Sequence, residues 1–226
     1  MLLAIDTATA YMSLALHDDQ RVIAESTWVS PNNHTVELAP AVHAMLVRAG
    51  IAIDALTALA VAIGPGSYSA LRIGVSFAKA VAAARELPLI GMTTLDILSA
   101  SQHRYPGELI PTAQAGRGRV IAARYTWNAV INRWTRAELM QNWEWAALIA
   151  AIEQRATPTW VTGEIDADAE HAVAAANAPI TLVDTGSRLR RAGYLASEAL
   201  VQLRASADAR SQFLPAALVP IYIKSI

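Results

Sequence analysis

The sequence predicts an α/β protein of two lobes, each built on the plan strand-strand-strand-helix-strand-helix-strand. Two observations carry that expectation. Apolar residues recur with period two in some segments and near 3.6 in others, and these segments follow the same order before and after a break at Pro106-Gly107. With 226 residues, 54 % of them hydrophobic, the chain has core enough for one large domain or two small lobes. Between the halves the order of elements repeats, while sequence identity is negligible.

In chain order, Leu2-Ile5, Met12-His17 and Val22-Val29 read as a meander, with Asp18-Asp19-Gln20 as one of its turns. A helix is expected from Thr35 to Ala49, stopped by Gly50. The alternating run Leu59-Ile63 is a buried strand, Ser69-Ala84 a helix, Pro88-Met92 a strand, and a short helix starts at Asp96. The pattern resumes with strands at Leu109-Ala115, Val120-Trp127 and Trp134-Met140 and a helix at Trp145-Gln154. The strand Thr159-Thr162, a helix near Ala167-Ala176, the strand Ile180-Val183 and a helix from Leu189 to Leu203 complete it. These elements place the lobe boundary near Arg104-Gly107, giving lobes at 1–104 and 105–226.

Two segments carry chemistry. Gly64-Pro65-Gly66-Ser67 lies between a strand and a helix, where glycines permit close backbone approach and the first helical N–H groups face outward. Such a unit is either a phosphate-type loop or the rigid start of an interface helix, and it lacks the Lys-Ser/Thr of a P-loop. Asp6-Thr7, at the end of the first strand, suits a hydrated magnesium ion or a phosphate, or Asp6 simply accepts turn N–H groups. Asp6, Thr7, Gly64, Gly66, Ser67 and Arg72 are therefore the candidate anion loop.

Several classes are disfavoured. The net charge is −1 and the chain has two lysines, Lys79 and Lys224, whereas a free-standing tRNA binder presents a basic face. The arginine groups Arg117/Arg119 and Arg188/Arg190/Arg191 read as solvated turns. With no cysteine, disulfides, thiolate metal sites and a cysteine nucleophile are excluded. His34 and His43 are too far apart for a two-histidine helical metal site, and Ser67 lacks a Gly-x-Ser-x-Gly setting. Trp127, Trp134, Trp143 and Trp145 suit core packing better than base stacking. The first residues carry an acid, Asp6, without a basic stretch or a cleavage site, so no signal peptide is expected; the most apolar window, Ala55 to Leu71, is cut by Gly64-Pro65-Gly66, so no membrane span and a cytoplasmic location are expected.

The helices 35–49 and 69–84 are apolar around most of their circumference, as in a helix either deeply buried or shared with a partner. A small lobe has too little protein to cover both. Thr35, Leu38, Val42, Met45, Leu71, Gly74, Val75, Ala78, Val81 and Ala82 are therefore the expected interface residues, with Gly74-x-x-x-Ala78 as a groove for a second helix. Pro40, inside the first helix, removes one hydrogen bond.

Taken together, Ala4-Ile5-Asp6-Thr7-Ala8-Thr9, His34-Thr35, Gly64-Pro65-Gly66-Ser67-Tyr68, Leu71-Arg72-Ile73-Gly74 and Leu87-Pro88-Leu89-Ile90-Gly91 resemble the actin and sugar kinase superfamily. More closely they resemble the TsaB (YeaZ) family. The likeness runs through most of residues 1–100 and is thin afterwards, with Ser69-Ala70 where the family has Thr-Gly. The segment Gln114 to Ile121 stands where the family has Asp-Ala-Arg followed by Gly-Glu-Val-Tyr.

The resemblance implies an actin-like (ASKHA, RNase H-like) fold and a non-catalytic subunit. That subunit pairs with the catalytic TsaD through the N-lobe helices, with the ATPase TsaE docked on the pair. The complex transfers threonylcarbamoyl to an adenosine beside the tRNA anticodon, and this chain meets tRNA only through it. The alternative is a small-molecule phosphotransferase of the same superfamily, for which the second-lobe acid, absent at Gln114, is the discriminating feature. Alone, the chain is expected to bind no cofactor and to form a homodimer, with ATP and magnesium left to the assembled complex. On this reading, Ala78→Glu breaks the partnership without unfolding the chain.

Overall fold

The computed structural model describes residues 1–116 and 118–223. Strands β1 (Leu2–Asp6), β2 (Tyr11–His17) and β3 (Val22–Val29) form the expected antiparallel meander. Helix α1 (His34–Ala49), strand β4 (Ala58–Ala62), helix α2 (Tyr68–Ala84) and strand β5 (Leu89–Met92) follow, and β4 and β5 join in parallel. The resulting sheet has the order β3-β2-β1-β4-β5. Helix α1 runs through Pro40 and ends at Gly50, whose φ of 67° is the left-handed conformation that glycine adopts without strain.

Alternation along the strands sorts side chains by size as well as by face. Leu3, Ile5, Leu14, Leu16, Leu59 and Val61 pack with α1 and α2. Ala4, Ala15, Ala58, Ala60 and Ala62 line the opposite face. Helix α3 (Thr94–Ala100) follows.

The next stretch comprises strands β6 (Glu108–Gly116), β7 (Arg119–Ala122), β8 (Tyr125–Asn128), β9 (Arg133–Arg136) and β10 (Gln141–Glu144). Helix α4 (Trp145–Arg155), strand β11 (Thr159–Gly163), helix α5 (Ala167–Ala174) and strand β12 (Ile180–Leu182) come next. The order β10-β7-β6-β11-β12 repeats that of the first sheet, which bears out the duplicated plan. The expected strand Val120-Trp127 is in fact two, and the third strand of the plan is β10 rather than Trp134-Met140. The segment carrying Trp127 and Trp134 is a hairpin, β8–β9, inserted between β7 and β10, with the two indoles edge to face at 5.4 Å.

Helix α6 (Ala192–Ala205), helix α7 (Ala209–Gln212) and an extended tail finish the chain. The chain forms two compact units, Met1–Ile97 with Arg191–Ile221, and Leu98–Arg190 with Tyr222 and Ile223. This corrects the boundary drawn at 104/105, which assigned all of 105–226 to the second lobe. Leu195, Ala196 and Ala199 of α6 supply the partner that the alanine face of the first sheet needs. That face is therefore covered by the far end of the sequence.

The start of α6 is held in trans. Ser13 Oγ accepts from the Ala192 N–H at 2.8 Å, and Glu25 Oε1 accepts from the Gly193 N–H at 2.7 Å. Arg191 closes an ion pair on the same carboxylate. The tail covers the other side of the sheet, where Phe213 O accepts from the Leu89 N–H at 2.9 Å and Ile63 O from the Ile221 N–H at 2.7 Å. Among the described residues, no helix is long and apolar enough to cross a membrane.

Candidate functional site

The predicted anion loop is present, and its own chain fills it. Asp6 and Thr7 are fully buried. Asp6 Oδ1 accepts from the Ala8 N–H at 2.9 Å, so the carboxylate closes the β1–β2 turn. Thr7 Oγ1 donates to Ala70 O at 2.7 Å and reaches α2 directly. The Ser67 N–H donates to Ala8 O at 2.7 Å, while Thr94 bonds Gly64 O through its N–H and Pro65 O through its hydroxyl. Ser67 Oγ caps α2 by accepting from the Ala70 N–H. The Ala8, Ser67 and Ala70 N–H groups are thereby engaged by the protein itself.

Two glycines make this packing possible. A Cβ on Gly66 would run into Ala8 O, and one on Gly74 into Thr7 Oγ1. The groove expected beside Gly74 for a partner helix is occupied by Thr7. Arg72, expected with the loop, instead lies exposed on α2, where its Nη1 donates to Tyr68 Oη at 2.9 Å. The structure brings Asp6, Thr7, Gly64, Gly66 and Ser67 together and leaves Arg72 outside.

The expected interface stripe likewise faces inward. Leu38, Val42, Met45, Leu71, Gly74, Val75, Ala78 and Ala82 are buried in the first unit; of the remaining two, Val81 is half-buried and Thr35 exposed. Both helices lie on one face of the sheet, and a single packed layer accounts for Leu38, Val42, Met45, Val75, Ala78 and Ala82, while Leu71 packs with the alanine-rich cluster. What remains outside is the second apolar stripe. Val36 and Val47 of α1 and Tyr68 of α2 are 69, 65 and 57 % exposed, with Ala39, Pro40, Ala44, Ser76, Ala80 and Ala84 also exposed. The near-uniform apolarity of both helices is visible in the sequence, but which stripe faces the sheet depends on Thr7 meeting Gly74.

His34 begins α1 with its ring buried and Nε2 without a hydrogen-bond partner. Burial pushes its pKa below the ordinary histidine range, outweighing a hydrogen bond to the Thr9 backbone and the carboxylates of Glu37 and Asp6. The unfolded chain then binds the proton that the folded chain refuses.

In the second unit, Thr112 Oγ1 donates to Thr162 O at 2.9 Å, and the Gln114 N–H donates to Glu164 Oε2 at 2.8 Å. An acid therefore does stand at the end of β6, contributed by the residue after β11 rather than by position 114. It is engaged on both sides, since its other oxygen lies 4.0 Å from the buried guanidinium of Arg190. Arg119 bonds Asn142 Oδ1 and Glu144 Oε1 across β7–β10, Arg188 donates to Val183 O, and Arg191, half exposed, pairs with Glu25. Arg117 and Lys224 lie outside the described residues. Trp145 and Trp134 are buried, as core packing requires. No group of three or more His, Asp or Glu is placed to hold a metal among the described residues.

The duplicated β3-β2-β1-β4-β5 order and the strand-loop-helix site define an actin-like α/β protein with a self-filled phosphate-type loop. A family model described as "TsaD: tRNA N6-adenosine threonylcarbamoyltransferase" matches residues 22–141. The chain is 37 % identical over 124 residues to the Bacillus subtilis "tRNA threonylcarbamoyladenosine biosynthesis protein TsaB", covering 55 % of this chain and 54 % of that protein. Its Escherichia coli counterpart is 36 % identical over 126 residues, again covering 55 and 54 %. The chain thus spans about half the length of the curated relatives it matches. Its fold is that of YeaZ from Pseudomonas aeruginosa, with a TM-score of 0.74 at 23 % identity over 98 % of this chain and 99 % of that one. The chain belongs to the TsaD family and, within it, to the TsaB (YeaZ) group.

Ala78→Glu buries an unpaired carboxylate in the core and should destabilise the first unit by several kcal/mol. Urea denaturation reads the effect, and an unchanged midpoint would show that Ala78 faces outward after all.

Because burial depresses the His34 pKa, folding stability should fall as pH drops below about 6.5, and His34→Gln should flatten that part of the profile. Denaturation midpoints from pH 7.5 down to about 5 provide the check, and equal slopes for both proteins would remove His34 as a cause.

Proposed function

We propose that this chain is a non-catalytic assembly subunit of the machinery that places threonylcarbamoyl on an adenosine beside the tRNA anticodon. It pairs with a TsaD-like catalytic subunit through the outer faces of α1 and α2, and a TsaE-like ATPase docks on the pair. The tRNA is met through the complex. Without its partner the chain covers the same face with a second copy, because an apolar patch of this kind is unusual on a monomer. ATP and magnesium belong to the assembled complex, and the site of action is the cytoplasm.

The observation that carries this reading is the division of labour within the two helices. One stripe is spent on the core and leaves a second, apolar stripe in solvent, while the adjacent anion loop is filled by Thr7 and Ala8. A surface is available beside a loop that its own chain fills.

The phosphotransferase alternative gains one argument, the Glu164 carboxylate at the end of β6. That carboxylate already serves Gln114 and Arg190. Phosphoryl transfer needs a carboxylate free to position a metal.

Ala80→Glu separates the readings, because Ala80 is exposed on the outer stripe. Its melting temperature should stay close to wild type, since exposed substitutions shift stability within about 0.5 kcal/mol. A charge buried unpaired in an interface costs several kcal/mol, so affinity for the TsaD-like partner should fall about a hundredfold. In a reconstituted tRNA modification assay Ala80→Glu should abolish activity, and Asp6→Asn should have a much smaller effect. The reverse pattern would make the chain a catalyst.

A further inference from the structure

The outer helix face carries cations and almost no acid. Helix α2 contains no Asp or Glu, and the one acid of α1 is Glu37, whose Oε2 accepts from the Trp28 indole N–H at 2.8 Å. Two of the cations nearby are occupied with their own unit. Lys79 Nζ donates to Ala216 O and Leu218 O at 3.3 and 2.9 Å, and Arg85 pairs with Asp54.

Arg72 is held differently. It is exposed, its Nη1 donates to Tyr68 Oη at 2.9 Å, and its Cζ lies 5.3 Å from the Tyr68 ring centroid. A phenol orients a guanidinium without neutralising it. Arg72 is therefore a charge oriented by Tyr68 before any partner arrives. A guanidinium so constrained loses less entropy on pairing and suits a carboxylate taken in a two-point contact.

We propose that Arg72, aimed by Tyr68, is a specificity determinant of the assembly face that reads a carboxylate on a partner helix of different sequence and so favours a heteromeric partner over a second copy of this chain. The inference rests on the assembly reading given above. A second copy brings to the contact another Arg72, with His43 and Arg48 also exposed on α1, and no acid from α2 to answer them. Like charges brought together across an interface disfavour the wrong pairing, while complementary ones speed and select the right one.

The test is calorimetric titration of this chain with the TsaD-like protein of the same genome at low and high salt. Arg72→Glu should weaken binding by at least about tenfold with an unchanged melting temperature, and Arg72→Lys and Tyr68→Phe by smaller factors. Salt should narrow the gap between wild type and Arg72→Glu. If Arg72→Glu binds as tightly as wild type, the inference fails and the assembly reading stands. If wild type itself does not bind, both fail. Self-association of the chain alone that is tighter than the mixed pair would also overturn the inference.

Discussion

The β1–β2 turn approaches helix α2 closely enough for Thr7 to sit against Gly74, and the placing of the outer helix face depends on it. Thr7 spends its hydroxyl on Ala70 O, opposite Gly74, which has no side chain to hold it off. Just before the helix begins, Gly66 lets the loop settle against Ala8 O, to which the Ser67 N–H donates. Gly66, which could have bent the backbone around a phosphate, bends it instead around the protein's own turn. With α2 drawn down onto β1, Leu71, Val75, Ala78 and Ala82 have no direction to face except the sheet. The outward stripe is then set by helical geometry alone.

The sheet beneath imposes a matching order. Large side chains face α1 and α2, alanines face the other way, and the alanine face admits one closely seated helix. That helix is α6, and the Glu25 carboxylate on edge strand β3 fixes where it begins by accepting from Gly193 and pairing with Arg191. A Cβ at Gly193 would press on Glu25 Oε1 at 2.9 Å, so the small residue and the carboxylate are matched to each other. Core and clamp thus cover both faces of the sheet, and the outer helix face stays in solvent.

The strand order and the helices of the first unit were legible because each carries an unambiguous period and a turn or cap where it should stop, Gly50 and Ser67 among them. What escaped the sequence depended on contacts between distant residues. Ala192–Ala205 looks like the closing helix of the second lobe until the alanine face of the first sheet is seen to need it. Trp127 and Trp134 read as parts of long strands, because a hairpin inserted into a repeated plan preserves period two on both arms. In α1 and α2 both stripes are apolar, and the sequence does not tell the interface stripe from the core stripe; most of the stripe expected at the interface is buried in the core. Position 114 lacks an acid, but Glu164 reaches the same strand end from fifty residues downstream. No local pattern announces that.

The account stands most directly on the contact between Thr7 and Gly74, and a double-mutant cycle measures it. Thr7→Ala, Gly74→Ala and the double variant are compared with wild type by urea denaturation. Overpacking at Gly74 typically costs about 1–3 kcal/mol, and the hydrogen bond removed by Thr7→Ala about 1 kcal/mol. If the hydroxyl fills the space beside Gly74, Thr7→Ala should relieve part of the Gly74→Ala penalty, with a coupling of at least about 0.5 kcal/mol. Strictly additive losses would mean that the two residues do not meet, and that the groove beside Gly74 is open to a partner helix after all.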